Sequence, residues 1–423
     1  MSVRPAPVVL DDLAEPRFSP EIDQLRAGLV DMAPMCPIEP DALCETAVEQ
    51  TGLSDFGDGA YRRRLVVLCS ALRDEAGLSP SGIVSWHTQL VQLLKNRLLI
   101  QDLLTRHPEI RDVRIERPII ICGQPRTGTT HLHNLISADP ALRSLPYWES
   151  LEPVLPYAEQ PGPGEPDPRL ARTAFGLEVL NEALPFFDRM HEMTVDHVHE
   201  EIQLLAIDVS TMFFEAQALM PSWRDYFKAE DQTPTYGYLR TVLQVLQWLR
   251  GGTRWVLKSP QHLEQFAPLV STFPDATFVV THRDPASVTV SLATMVAYTA
   301  RMAIDHIDPM AIGRYWSARC EDLFRACAAD RDLLPADNSI DVVFHEFMAD
   351  DIAMVEKIYA VADQPFTSET RKAMERFMVD NPRGRHGTIV YRPEEFGIDR
   401  AERHGALDSY MRQFAVLRED RHA

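Results

Sequence analysis

Apolar residues recur at three-to-four spacing between about Pro40 and Arg106, in YRRRLVVLCSALRDEAG and SGIVSWHTQLVQLLKNRLLIQDLLTRH, which predicts amphipathic helices through that region. The period changes at Arg117. Pro118-Ile119-Ile120-Ile121-Cys122 is a short, continuously apolar run closed by glycine, the pattern of a strand buried on both faces of a parallel sheet. Three further runs, Arg254–Lys258, Thr277–Thr281 and Asp341–Phe344, are each separated from the next by helical or loop sequence. Parallel strands need such crossovers, so the expected fold class is α/β, a central parallel sheet with flanking helices plus a helical N-terminal extension. The expected division is a helical region over 1–115 packed on a core domain over 116–423, with a helical insertion at about 170–250. Pro146–Arg169 is dense in Pro and Gly and is read as a surface loop. The insertion is broken near Pro185 and Pro221, and its aromatics (Phe186, Phe187, Phe213, Phe214, Trp223, Tyr226) are assigned mainly to core.

Composition narrows the partners. The 423 residues carry a formal net charge of -20, which argues against a general nucleic-acid or anionic-membrane surface, so any anion site must be local. The six cysteines form no CxxC and no paired metal-ligand spacing, so neither a zinc site nor a disulfide framework is expected. Pro and acidic residues interrupt the N-terminus before a signal peptide could form, and no run approaches the ~18 apolar residues of a membrane span. A soluble, cytoplasmic protein is the expectation.

After the first strand comes Gly123-Gln124-Pro125-Arg126-Thr127-Gly128-Thr129-Thr130, and then a helix beginning near His131. Amides of such a turn converge on one concavity, and the helix dipole adds positive charge, so a phosphate can sit there. The spacing matches GxxxxGK[ST] except that Thr129 stands where nucleotide triphosphatases place lysine. Without that lysine γ-phosphoryl transfer loses a main electrostatic partner, whereas Arg126 can serve a donor with a single 5′-phosphate and one further anionic group.

Two more anion motifs follow. The strand TFVVT runs into His282-Arg283-Asp284-Pro285, with Asp284 a helix N-cap and Pro285 the first helical residue, so Arg283 falls at the ligand-binding edge of a parallel sheet. Ser291, about two turns inside that helix, offers a hydroxyl to the same anion. Near the end, Asn381-Pro382-Arg383-Gly384-Arg385-His386-Gly387 alternates arginine and glycine, a loop able to wrap a phosphate with side chains and amides.

The loop around Arg126 resembles the 5′-phosphosulfate loop of sulfotransferases that use 3′-phosphoadenosine-5′-phosphosulfate (PAPS), and Arg283 with Ser291 resembles their 3′-phosphate motif. Trp-Val-Leu-Lys-Ser-Pro-Gln-His-Leu and Thr-His-Arg-Asp-Pro are similar to the bacterial sulfotransferase-family group, and Tyr391, Glu395, Phe396 and Gly397 resemble the segment after its C-terminal loop. The likeness spans roughly Ile119 to Ile398. It implies a P-loop-like sulfotransferase fold and sulfuryl transfer from PAPS to a hydroxyl or amine, without a metal. It further implies donor contacts from Arg126, Thr127, Gly128, Thr129, Thr130, Arg283, Ser291, Arg383, Gly384 and Arg385, the two loop arginines being undistinguished. Lys258 falls where the family's lysine meets the sulfuryl region. His262, four residues on, is the first candidate for general base, and Glu200 in Asp196-His197-Val198-His199-Glu200-Glu201 is the second. A metal on His197 and His199 is discounted. The aromatic insertion hints at a small hydrophobic alcohol, phenol, lipid or glycan as acceptor. A phosphate-loop phosphotransferase or a non-catalytic nucleotide-binding protein are the alternatives.

Overall fold

The computed structural model describes residues 5–419. Four strands, β1 (Ile119–Cys122), β2 (Val256–Ser259), β3 (Thr277–His282) and β4 (Ser339–Val343), form one parallel sheet in the order β2-β1-β3-β4. Every residue of β1, β2 and β3 is buried, the reason their sequences lack polar alternation, whereas β4 lies at the edge and carries Ser339 and the exposed Asp341. Side chains still point alternately. Ile119 and Ile121 face an apolar cluster with Leu132, Leu135, Val355 and Ile358. Ile120 and Cys122 face a larger cluster that takes in Leu65, Trp86 and Leu94 of the N-terminal helices together with Phe214, Trp223 and Leu243.

The chain runs from β1 to β2 on one side, and the next crossover carries it back past β1 to β3 on the other, so β1 is where the strand order reverses and a crevice can open at its C-terminal end. Register pairs Ile121 with Lys258 and Cys122 with Val280, so the turn after β1 emerges between Lys258-Ser259 and Thr281-His282.

The observed strand limits differ slightly from the expected ones. β2 starts at Val256 rather than Arg254, and β4 covers Ser339–Val343 because Phe344 already begins a helix over Phe344–Ala349. The N-terminal helices are Pro20–Leu29, ahead of the expected helical region, and Pro40–Thr51, Ala60–Asp74 and Pro80–Arg106 within it. Pro146–Arg169 is not wholly a surface loop. Tyr147–Leu151 is a short helix with Trp148 and Glu149 buried, its carboxylate held by Arg143 and Arg250. The 170–250 insertion has long helices at its two ends, Pro168–Ala183 and Thr233–Arg250, and between them an irregular stretch followed by the shorter helices Ile202–Leu205, Phe213–Gln217 and Pro221–Ala229. From Leu184 to Glu201 only a single short turn at Phe187–Arg189 forms, and the chain is instead pinned across by Tyr147 N–H to His197 O and His199 N–H to Leu145 O.

Gly123 is where the strand must turn sharply. A Cβ there would stand 1.8 Å from Thr281 Oγ1 and 2.7 Å from Thr129 Cγ2, both of which are buried. Gly123→Ala is therefore expected to cost roughly 2–4 kcal/mol of unfolding free energy, read from urea denaturation, because neither neighbour can retreat. A midpoint equal to the parent's would show that the turn relaxes freely.

Candidate active site

The turn after β1 is built from unusual backbone. Gly128, at φ +86°, caps the helix Thr129–Ser137, and Arg126 itself sits at φ +74°. A non-glycine residue in that region is strained by about 1–3 kcal/mol, a cost that recurs at ligand sites. Thr127 turns inward, donating to Gln124 O at 2.7 Å and lying 2.7 Å from Thr281 Oγ1, so its side chain braces the loop rather than facing the cavity. The first-turn amides of the helix have no intrahelical acceptors.

Arg126 fans out over three partners. Its Nε donates to Ser291 Oγ at 2.9 Å, Nη2 to Tyr391 Oη at 3.3 Å, and Nη1 to Met190 O. Arg283 joins the same group: its Nη1 donates to the carbonyl of Arg126 at 2.6 Å, and its guanidinium lies 3.9 Å over the Phe344 ring. Asp284 caps the helix Pro285–Ala300 through Ala286 N–H, as the sequence expects. The loop arginine and the arginine after β3 thus meet at one place.

They line a cavity of about 480 Å³, together with Gly128, Thr129, Thr130, Arg383, Gly384 and Arg385. That volume is within the ~300–1,000 Å³ typical of small-molecule sites. Acids pair with its cations. Arg383 meets Asp351, which also takes His131 Nε2 at 2.7 Å, and Arg385 meets Glu192 at 2.6 Å. His386 lies 3.0 Å from Asp188. The Arg383–His386 loop is thereby clasped across the cavity to residues 188–192. The facing wall, Asp188 to His197, is polar, whereas Phe214 and Trp223 lie fully in the core. The expected aromatic acceptor wall is not what this cavity presents.

Lys258 is 2% exposed, and its ammonium is ion-paired to Glu200. The adjacent Glu201 is fully buried and serves a different purpose: one carboxylate oxygen accepts from Lys258 N–H at 2.7 Å and the other meets His262 Nε2 at 2.6 Å. His262 Nδ1 in turn lies 2.8 Å from Tyr236 Oη. Both His262 nitrogens are therefore occupied, and the ring is wholly buried, so the first base candidate is a brace behind β2. Glu200 is the candidate that the fold brings to Lys258.

Around Lys258 stand four imidazoles. His197, on the cavity wall, is pushed down to about 4 by burial and then by the Lys258 ammonium. His133, His191 and His199 lie well below the usual imidazole range, again chiefly through burial, with Lys258 among the further causes. At neutral pH all four are uncharged. Among the described residues no group of three or more His, Cys, Asp or Glu side chains is arranged to hold a metal ion. All six cysteines are free, and among the described residues no helix is long and apolar enough to cross a membrane.

Sequence reasoning overlooked Glu192, Asp188, Tyr236 and Glu419, whose carboxylate pairs with Arg283, and it weighed Glu201 only as the lesser member of the Glu200-Glu201 pair. Only the crowding of acids and imidazoles between Asp188 and Glu201 offered a signal.

Comparison with known proteins bears on the family and the fold. Among curated proteins none matches the chain. Sulfotransferase STF1 from Mycobacterium tuberculosis is a similar solved structure, with 29% identity and TM-score 0.76, covering 87% of this chain and 98% of that one. Sulfotransferase STF9 from Mycobacterium avium is similar at 25% identity and TM-score 0.79, covering 89% and 97%. The family model described as "Sulfotransferase family" matches residues 118–368, from the residue before β1 through β4 and beyond. With more than half of its length matched, and with the fold of those two enzymes, the chain belongs to the sulfotransferase family and is an enzyme of sulfuryl transfer.

Proposed function

We propose that the sulfuryl donor is PAPS, that the acceptor is a small molecule bearing a hydroxyl or amine, and that the donor lies along the cavity between Arg126 and Arg283. The observation carrying this reading is the contact of those two arginines: strained loop, helix N-terminus and sheet-edge arginine converge on one cavity with arginines on several sides. That arrangement suits a ligand with two separated phosphates on one adenosine. The polar wall from Asp188 to His197 supports an acceptor recognised through hydrogen bonds.

The donor supplies an activated sulfuryl group, whose sulfur bonds to the acceptor oxygen or nitrogen while its bond to the 5′-phosphate oxygen breaks. The protein's part is placement and charge. Amides from Gly128 to Thr130 and the Arg126 guanidinium hold the 5′-phosphate end and neutralise the leaving oxygen. Thr127 fixes the turn from behind. Arg283 holds the 3′-phosphate, with Arg383 or Arg385 closing over it, and Ser291 orients Arg126. Lys258 holds Glu200. The sulfuryl group draws that ammonium toward itself, and the carboxylate left behind takes the acceptor's proton. His262 and Glu201 keep β2 in register for Lys258.

Isothermal titration with adenosine 3′,5′-bisphosphate tests the donor. Micromolar binding is expected, at least about tenfold tighter than adenosine 5′-monophosphate, since a charge-assisted phosphate contact is worth over ~1.4 kcal/mol. No heat from the bisphosphate at millimolar concentration would end the reading.

A further inference from the structure

We propose that Glu419 is a positioning residue of the donor site, whose carboxylate holds the Arg283 guanidinium in the orientation that receives the 3′-phosphate; the inference rests on the donor reading above. The carboxylate meets Arg283 in a bidentate pair, Oε1 to Nε at 2.6 Å and Oε2 to Nη2 at 2.8 Å. With Nη1 donating to Arg126 O, three of the five guanidinium N–H donors are engaged. One donor remains on each terminal nitrogen, free to meet a phosphate oxygen.

The carboxylate is delivered by a fixed backbone. Glu419 N–H donates to Asp284 Oδ2 at 2.9 Å, and Arg400 Nη2 donates to Glu419 O at 3.2 Å and to Ser287 Oγ at 2.8 Å. Asp284 is itself fully buried and bonded to His404 Nε2 at 2.7 Å. Upstream, Phe414 stacks on His282 with ring centres 3.9 Å apart, and Val416 is buried. The segment that packs on the residue before Arg283 thus also brings the acid to Arg283. A mobile plug competing with phosphate would need a loose tether, and this one is bonded at both its amide and its carbonyl.

Together these contacts link the helix Arg400–Ala406, through Asp284, Glu419 and Arg283, to the main chain of Arg126. An arginine freed from that chain samples many rotamers, and phosphate must then supply the ordering that Glu419 provides in advance.

Titration of the full chain with adenosine 3′,5′-bisphosphate and with adenosine 5′-monophosphate tests this in the parent, Glu419→Gln and Glu419→Asp. In Glu419→Gln the bisphosphate is expected to bind about tenfold more weakly and the monophosphate within about twofold of the parent, so the preference collapses. Glu419→Asp should recover part of it. Arg400→Gln, which loosens the backbone of Glu419 without touching Arg283, should give a smaller loss of about two- to threefold. Unchanged preference in Glu419→Gln, parallel weakening of both nucleotides, or tighter bisphosphate binding would each overturn the proposal, the last marking Glu419 as a competitor. A parent that does not prefer the bisphosphate would instead remove the donor reading, and this inference with it.

Discussion

Lys258→Met is expected to lower kcat by about 10²–10³-fold while changing the affinity for adenosine 3′,5′-bisphosphate by no more than about threefold. Methionine keeps most of the buried stem of Lys258, which is 2% exposed, and deletes only the ammonium. The nucleotide's phosphates are assigned to the turn after β1 and to Arg283, which this substitution does not touch. In the proposed reading what disappears is charge facing the migrating SO₃ group, which matters mainly in the transition state. The variant also leaves Glu200 without its cation in a site where its side chain is 17% exposed. Some stability is lost for that reason alone, since removing one partner of a buried pair strands the other.

Glu200→Gln separates the two effects. If Lys258 and Glu200 work as a unit, Glu200→Gln alone is expected to lose about 10²-fold or more in kcat. The double variant should then be hardly slower than the worse single one, while its melting temperature returns toward the parent's. Product release measured from PAPS, with an acceptor found by screening cell extract for sulfated compounds, reads the rates. Lys258→Met turning over within about fivefold of the parent would remove the ammonium from the chemistry.

The sheet was legible because each buried strand is a short apolar run with a sharp end, and Gly123 and Asp284 mark where the chain turns into the next helix. The turn after β1 was legible for the same reason: its spacing is set by backbone geometry that only particular residues tolerate. The surroundings of Lys258 were harder. Glu200 and Glu201 are neighbours of identical chemistry, yet one pairs with the Lys258 ammonium and the other with the Lys258 amide and His262. No sequence signal divides them, because the division depends on which carboxylate the irregular 184–201 segment turns toward β2. That segment has no period of its own and takes its path from contacts at Leu145 and Tyr147. Glu419 was invisible for a related reason: its partner lies 136 positions away, and only the packing of Phe414 on His282 brings them together.

The imidazoles around Lys258 make a second large effect, an acid-sensitive fold. His197 is pushed down to about 4 in the folded protein, against about 6.5 for an imidazole in an unfolded chain. Between those values the unfolded state binds a proton that the folded state does not, so stability is fully present above pH ~6.5 and is lost as pH falls toward 4. For His197 alone the loss is roughly 2 kcal/mol by pH 5. His133, His191 and His199 shift in the same direction, so the parent should lose more than that. Burial raises Glu149 and Glu215, which acts with the opposite sign, and a comparison of parent with variant cancels their contribution. His197→Asn, which cannot take up a proton, is therefore expected to flatten the dependence by about 2 kcal/mol between pH 7.5 and 5, measured by urea unfolding at each pH. In the folded protein the His197 imidazolium forms only as pH approaches 4, so sulfuryl transfer by folded enzyme should fall there rather than between pH 7.5 and 5, because the new charge repels Lys258. If parent and His197→Asn lose stability in parallel across that range, His197 is exchanging protons freely in the fold, and the picture of a neutral ring around the lysine fails.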